Sequence, residues 1–127
     1  MILLVTGDRD WDTPQRIWWA LEKIHEKYHV TELVHGGARG ADLQAAAWAV
    51  GKGIAVSAYP ANWRKYNKAA GPLRNQAMLE GSKPDYCVAF HNDLEQSKGT
   101  KDMVDRVMQN TLIPCVLVGL TTVERLQ

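Results

Sequence analysis

Glycine recurs beside cationic and hydroxyl side chains in four short stretches of this sequence. The stretches are Thr6-Gly-Asp-Arg9, His35-Gly-Gly-Ala-Arg-Gly-Ala-Asp42, Asn62-Trp-Arg-Lys-Tyr66 with Arg74 and Asn75 further on, and Ser97-Lys-Gly-Thr100. Glycine lets a ligand approach the backbone closely. Arginine pairs with phosphate or carboxylate through two parallel hydrogen bonds. The four stretches therefore indicate one or more sites for an anionic ligand.

The glycines at 36, 37 and 40 form the most informative stretch, because they lie between an apolar run and a helical one. Residues 32–34 lead into the turn, and the alanine-rich stretch 43–50 leads out of it. The first turn of a helix has free N–H groups and the positive end of the dipole, which suits a phosphate. The spacing is neither that of a Walker loop nor that of the dinucleotide motif G-x-G-x-x-G. Arg39 is interpreted as an anion ligand, while Asp42 either caps the helix or contacts the ligand.

The other stretches supply a surface for a base and a second helix start. Trp63 and Tyr66 can stack on a base, while Arg74 neutralises a phosphate. Ser97 is either an N-cap or a phosphate ligand. The predicted ligand contacts are Gly7, Arg9, Gly36, Gly37, Arg39, Gly40, Asp42, Trp63, Arg74, Asn75, Ser97, Gly99 and Thr100.

Catalytic residues are not identified by the sequence. Asp8, Asp42 and His91 are weak candidates as carboxylate or imidazole groups, and His35, like His91, ends a strand and could act as an acid, a base or a structural residue. No Ser/His/Asp order indicates a triad. His25 and His29 lie four residues apart without further ligands, so no metal site is predicted.

Strand and helix patterns alternate along the chain. The predicted strands are 2–6, 32–35, 54–59, 86–90 and 115–118, and the helices are 14–28, 43–50, one opened by Pro72 and closed by Gly81 and Pro84, and 99–109. In the third helix Leu73, Ala77 and Met78 are expected to face inward. Residues 61–71 and 91–98 are expected to be polar loops. The pattern predicts a Rossmann-like, three-layer, doubly wound α/β sheet of about five parallel strands. Residues 1–120 form the predicted nucleotide-binding domain, and 121–127 a tail that is a short helix or frayed.

Composition narrows the classes of function. The chain has 127 residues with a formal net charge of +1, which gives no global attraction to nucleic acid or membrane. Its apolar runs are shorter than the ~20 residues of a membrane helix. The start of the chain is interpreted as a strand and not a signal peptide. Cys87 and Cys115 lie in apolar runs and are expected to be buried and reduced, so the expected compartment is the cytoplasm.

Taken together, the motifs resemble the SLOG superfamily, whose name joins the DNA-processing protein Smf/DprA and the "lonely guy" enzymes. The branch they are most similar to is that of the small YspA-like, YpsA-related (YAcAr) proteins of bacteria and phages, a family of unknown function. The resemblance covers about residues 2–118. It implies a Rossmann-like fold that binds a nucleotide or nucleotide-derived ligand, of the NAD/ADP-ribose or nucleoside-phosphate type. The contacts that the resemblance implies are Gly7, Arg9, Gly36, Gly37, Arg39, Gly40, Asp42, Arg74, Asn75, Gly99 and Thr100.

One position departs from the phosphoribohydrolases of this superfamily. Their Pro-Gly-Gly-x-Gly-Thr-x-x-Glu motif ends in a glutamate that assists cleavage, whereas Met103 stands there in this chain, beside Asp102. A sensor or binding protein without turnover is therefore favoured. The alternatives are a nucleotide N-glycosidase or phosphoribohydrolase and, second, a single-stranded nucleic-acid-binding module, against which the near-neutral charge argues. No cofactor beyond the nucleotide ligand and no membrane partner is expected, and a homodimer stays open.

Overall fold

Five apolar runs form the parallel strands of one sheet, and the computed structural model describes all 127 residues. The strands are β1 (Ile2–Gly7), β2 (Glu32–His35), β3 (Ala55–Ala58), β4 (Tyr86–Phe90), β5 (Cys115–Val118) and β6 (Val123–Arg125). Their order in the sheet is β3-β2-β1-β4-β5-β6, and only β6 runs antiparallel to its neighbour. The helices are α1 (Pro14–Tyr28), α2 (Ala41–Gly51), α3 (Trp63–Tyr66), α4 (Ala70–Ser82) and α5 (Gly99–Asn110). The predicted Rossmann-like, doubly wound fold is confirmed.

The two faces of the sheet are covered by different helices, because side chains alternate along each strand. On β1, Leu3 and Val5 pack with Ile17 of α1 and Ala45 of α2. Between them, Leu4 faces the other way and joins the core formed with α4 and α5. Every residue of β4 is buried, as expected for a strand covered on both faces.

The chain reverses its direction of winding at β1, which pairs with β2 on one side and β4 on the other. In sheets of this type, ligands bind beyond the carboxyl ends of the strands at this reversal. The turns after β1 and β2 and the start of α5 lie at that edge. The topology therefore brings three of the four glycine stretches together.

The segment 61–71, expected to be a loop, is largely helical. Residues 63–66 form α3, residues 67–69 form a 3₁₀ turn, and α4 begins at Ala70 and not at Pro72. The side chain of Asn62 caps α3 by accepting a hydrogen bond from the backbone N–H of Lys65, 3.1 Å away. Pro72 fits within the first turn of α4, where its missing N–H has no intrahelical acceptor.

The inward face of α4 also differs from the prediction. Met78 is buried as expected, but Leu73 is 49% exposed and Ala77 is exposed. The buried positions include Asn75 and Leu79 instead. Asn75 is a polar residue on the packed face of α4. The periodicity of apolar residues alone assigns such a position to the surface, so the inward face was predicted incorrectly.

The end of the chain is neither a short helix nor frayed, which corrects the expectation for residues 121–127. Residues 123–125 form the edge strand β6, in which Glu124 lies opposite Leu117. All of its residues are exposed, so the strand has no apolar alternation by which to recognise it. None of the helices combines the length and the apolar character that crossing a membrane would need.

Gly40 should be irreplaceable for the fold, because its backbone and its surroundings both exclude a side chain. Its φ is 75° and its ψ is −126°, and a Cβ there would lie 2.5 Å from backbone atoms of Asp8 and Arg9. We expect Gly40→Ala to lower the free energy of unfolding by about 2 kcal/mol or more, as measured by urea denaturation.

Gly51→Ala is the matched control, because Gly51 ends α2 with open space around it. This substitution should stabilise the protein by a few tenths of a kcal/mol up to about 1 kcal/mol. Equal effects of the two substitutions would contradict the assigned role of Gly40.

Candidate functional site

Two adjoining cavities lie at the carboxyl edge of the parallel strands. We call the first the Trp63 cavity; it has a volume of about 440 Å³ and is lined by Arg9, Gly36, Gly37, Ala38, Arg39, Pro60, Ala61, Trp63 and Arg74. We call the second the Asp42 cavity; it has a volume of about 370 Å³ and is lined by Thr6, Gly7, Arg9, Ala38, Asp42, Arg74, Ser97, Lys98, Gly99 and Thr100. Because both include Arg9, Ala38 and Arg74, they form one continuous cleft.

Most residues singled out in the sequence line this cleft. The exceptions among the predicted contacts are Gly40 and Asn75, and the catalytic candidates Asp8 and His91 also lie outside it. Thr6 and Lys98 line the cleft without having been among the predicted contacts. Both are immediate neighbours of predicted glycine or serine positions, so the signal for them was present in the motifs themselves.

The glycine turn after β2 is closed by its own side chains. The carboxylate Oδ2 of Asp42 accepts hydrogen bonds from the backbone N–H groups of Gly36, at 3.0 Å, and Ala38, at 3.3 Å. The N–H of Gly37 donates to Nδ1 of His35 at 2.9 Å. These three amides are thus already occupied, and the expected cradle of Gly36–Gly40 amides for a phosphate is not the arrangement observed. Asp42 and His35 have structural roles in this turn.

Asp42 is nevertheless an unusual group for a purely structural role. Its side chain is 5% exposed, and its second oxygen, Oδ1, is buried without a hydrogen-bond partner. Burial raises the pKa of Asp42 to about 6, although the bonds from Ala38 and Gly36 and the charge of Arg74 oppose this shift. The carboxylate therefore has one oxygen that the folded chain leaves unsatisfied.

Arg74 reaches from α4 across the glycine turn. Its Nη1 donates to the carbonyl of Gly36, and its Nε donates to Oδ1 of Asn75 at 2.9 Å. A Cβ on Gly36 would collide with this guanidinium. The glycine at position 36 leaves room for the close approach of this arginine side chain, and Arg74 is held in place where the two cavities meet.

Asn75 holds other groups in place and lines neither cavity. Its Nδ2 donates to the carbonyl of Gly99 at 3.3 Å and to Oδ2 of Asp102 at 3.0 Å. The same Asp102 oxygen accepts from Nε of Arg106 at 2.8 Å. This buried network fixes the start of α5 relative to α4.

The start of α5 keeps free donors at the edge of the Asp42 cavity. Ser97 acts as a cap, since its hydroxyl accepts from the backbone N–H of Thr100 at 2.9 Å. The N–H groups of Gly99 and Lys101 have no acceptor in the chain. No atom lies within 4 Å of the place where a Gly99 side chain would begin. This helix end is open to a ligand, whereas in the turn after β2 the N–H groups of Gly36, Gly37 and Ala38 are already paired.

The remaining cations differ in how freely they can contact a ligand. Arg39 donates through Nη2 to Oδ1 of Asp10 at 2.8 Å, in a surface pair that is about 70% exposed. Surface pairs of this kind contribute little to stability. The side chain of Arg9 makes no hydrogen bond within the chain, although it lines both cavities. Arg9 is therefore more available than Arg39.

Asp8 and His91 form a separate pair at the ends of β1 and β4. Oδ2 of Asp8 lies 4.0 Å from Nε2 of His91, which is too long for a hydrogen bond. Nδ1 of His91 accepts from the N–H of Asp93 at 3.0 Å. Since neither side chain lines the cleft, the geometry gives no support to either as a catalytic group.

Comparison with known proteins agrees with this architecture. Residues 1–66 match the family described as the YspA, cpYpsA-related SLOG family. The Gene 61 protein of Mycobacterium phage D29 is 36% identical over 123 residues, which cover 92% of this chain and 95% of the phage protein. No solved structure is significantly similar to the chain.

The buried carboxylate predicts a specific pH dependence of stability. Because the pKa of Asp42 rises from 3.8 to about 6 on folding, the folded state binds this proton more tightly than the unfolded state. Asp42 therefore stabilises the fold at low pH, and this contribution is lost as the pH rises through about 6. The change corresponds to about 3 kcal/mol.

Asp42→Asn isolates this contribution, because asparagine can still accept the two N–H bonds but does not titrate. The free energy of unfolding of the variant minus that of the wild type should increase between about pH 4 and about pH 7, in urea denaturation at several pH values. A difference that stays constant over this range would contradict the buried, unsatisfied state of the carboxylate.

Proposed function

The chain belongs to the YspA, cpYpsA-related SLOG family, and we propose that it binds a nucleotide or nucleotide-derived ligand, of the NAD/ADP-ribose or nucleoside-phosphate type, as a sensor or binding protein. The observation that carries this proposal is the meeting of Arg9, Arg74 and the open start of α5 at one cleft. The positive charges of Arg9 and Arg74, together with the free N–H groups at the start of α5, suit a phosphate. Family membership supports a nucleotide-related ligand in the same cleft.

The phosphate is assigned to the start of α5 and not to the glycine turn after β2. The N–H groups of Gly99 and Lys101 are unpaired, and they lie at the positive end of the helix dipole. Arg74 and Lys98 line the same cavity. At the turn after β2, in contrast, the Asp42 carboxylate already accepts from two of the amides.

The base is assigned to the Trp63 cavity. Trp63 is 49% exposed at its wall, which leaves part of the indole available for stacking. Arg74 is common to both cavities and can contact a ligand that extends from one to the other. A nucleotide whose phosphate lies at α5 can therefore place its base against Trp63.

Binding without cleavage is favoured by the residues at the position of the phosphoribohydrolase glutamate. Met103 is fully buried in the core beneath α5. Its neighbour Asp102 is held by Asn75 and Arg106. Neither residue offers a carboxylate to the cleft, so the hydrolase alternative would need Asp42.

A nucleic-acid partner is disfavoured by the near-neutral net charge of the chain. Arg64, Lys65 and Lys68 are exposed but line neither cavity. The net charge of +1 gives little of the backbone neutralisation that nucleic-acid binding uses. The cleft itself has the dimensions of a small-molecule site.

Substitution of Arg9 tests the proposed site without disturbing the fold, because its side chain makes no hydrogen bond within the chain. We expect Arg9→Gln to weaken binding of AMP and ADP-ribose by about tenfold in isothermal titration calorimetry, through the loss of one charged hydrogen bond. Arg64→Gln is the matched control, an exposed arginine outside the cleft, and should bind as the wild type does. Equal affinities of the two variants would remove Arg9 from the site.

Turnover is tested directly by incubating the protein with AMP, NAD and ADP-ribose and measuring free base by chromatography. We expect no release above that of a protein-free sample, because no carboxylate stands at the position of the hydrolase glutamate. Release of base by the wild type but not by Asp42→Asn would replace the binding proposal with the hydrolase alternative.

A further inference from the structure

The two oxygens of the Asp42 carboxylate have different environments. Oδ2 accepts two backbone N–H bonds and so closes the turn after β2. Oδ1 is buried and has no partner, although its residue lines the Asp42 cavity. A buried acceptor without a donor is costly, because neither protein nor solvent replaces the hydration it has lost. Capping the turn needs only one oxygen, so the second is available to a ligand.

The surroundings of Oδ1 restrict which ligand group can pair with it. Arg74 on α4 is the cation that acts most strongly on Asp42, yet its Nη1 and Nε donate to Gly36 and Asn75. From β2, His35 is held through Nδ1 by Gly37. An anion at Oδ1 would be repelled by the carboxylate, and an ammonium group would be repelled by Arg74. A neutral donor fits both constraints, and in a nucleotide the ribose hydroxyl groups are the neutral donors nearest to the phosphate.

A phosphate and a hydroxyl would then be bound within the same cavity. The open N–H groups at the start of α5 and the Asp42 carboxylate both border its volume of about 370 Å³. We propose that Oδ1 of Asp42 accepts a hydrogen bond from a ribose hydroxyl of the bound ligand, so that the site selects phosphorylated ribose over phosphate alone. This inference rests on the proposed function, since it requires a phosphate at the start of α5.

Two nucleotides that differ only in ribose hydroxyls test the inference. AMP and 2′,3′-dideoxyadenosine monophosphate share the base and the phosphate, so the ratio of their dissociation constants measures what the hydroxyls contribute. Calorimetry on the wild type should show AMP bound about tenfold more tightly, equivalent to about 1.4 kcal/mol. In Asp42→Asn the amide can keep accepting the two N–H bonds through its oxygen and present an NH₂ donor in place of Oδ1. A hydroxyl can still accept from that NH₂ group, but the bond between neutral groups is weaker than one to a carboxylate, so the ratio should fall well below tenfold.

Asp93→Asn is the control for removing one negative charge, because Asp93 is exposed and lies outside the cleft. It should keep the tenfold ratio. If Asp42→Asn does not fold, the carboxyl ¹³C chemical shift of Asp42 in the wild type gives the second measurement. That resonance should move on addition of AMP and stay in place with the dideoxy nucleotide.

The outcomes separate this inference from the proposed function. Equal affinity of the wild type for the two nucleotides would overturn the inference and leave the nucleotide site intact. A tenfold ratio that persists in Asp42→Asn would assign hydroxyl recognition to another residue and also overturn it. Absence of binding by AMP, ADP-ribose and inorganic phosphate alike would reject the proposed function itself, and the inference with it.

Discussion

The carboxylate of Asp42, placed in the first turn of α2, determines the form of the whole cleft. By accepting the N–H groups of Gly36 and Ala38, it folds the segment after β2 back onto the helix that follows. The turn then presents the carbonyl of Gly36 outward, and this carbonyl accepts the guanidinium of Arg74. The amides of this turn could have bound an anionic ligand. Two of them bind the Asp42 carboxylate instead, and the carbonyl of Gly36 binds the cationic side chain of Arg74. These pairings decide which charged side chains border the cleft.

Arg74, the cation that the turn binds, lies in the other half of the fold. Arg74 lies on α4, which packs on the sheet face opposite to α1 and α2, and it is joined through Asn75 to Asp102 and the carbonyl of Gly99. These bonds connect β2, α4 and the start of α5 in one polar network, of which Asn75 is the buried member. Such a network is rigid when every member is satisfied. Its side chains hold the two walls of the cleft at a fixed separation, although they come from distant parts of the sequence.

The sequence was sufficient for the fold and for most of the cleft, because both depend on local patterns. Apolar runs and glycine turns recur in a strict order, and parallel strands bring their carboxyl ends to one edge.

What the sequence did not reveal were the partners of individual polar groups. Asn75 looked like a ligand contact, yet it bonds Asp102, 27 residues away. Arg39, interpreted as an anion ligand, lines the Trp63 cavity, and its surface pair with Asp10 was not foreseen. Strand β6 escaped prediction because an exposed edge strand has no apolar period. Hydrogen bonds between residues far apart in the sequence produce no periodic pattern, so the sequence alone does not predict them.

The carboxylate at position 42 has an energetic cost that capping of the turn does not require. An asparagine or serine could cap the same turn without burying a charge, and burial of this charge raises the pKa to about 6, which means that the folded chain disfavours the ionised form. Local conflicts of this kind concentrate at functional sites, where the group that is poor for stability serves the ligand. Gly40 differs from Asp42 in this respect, because its positive φ and its close contacts with backbone atoms of Asp8 and Arg9 account for it. Asp42 carries a buried oxygen, Oδ1, for which the folded chain provides no hydrogen-bond donor, and the residue lines the Asp42 cavity.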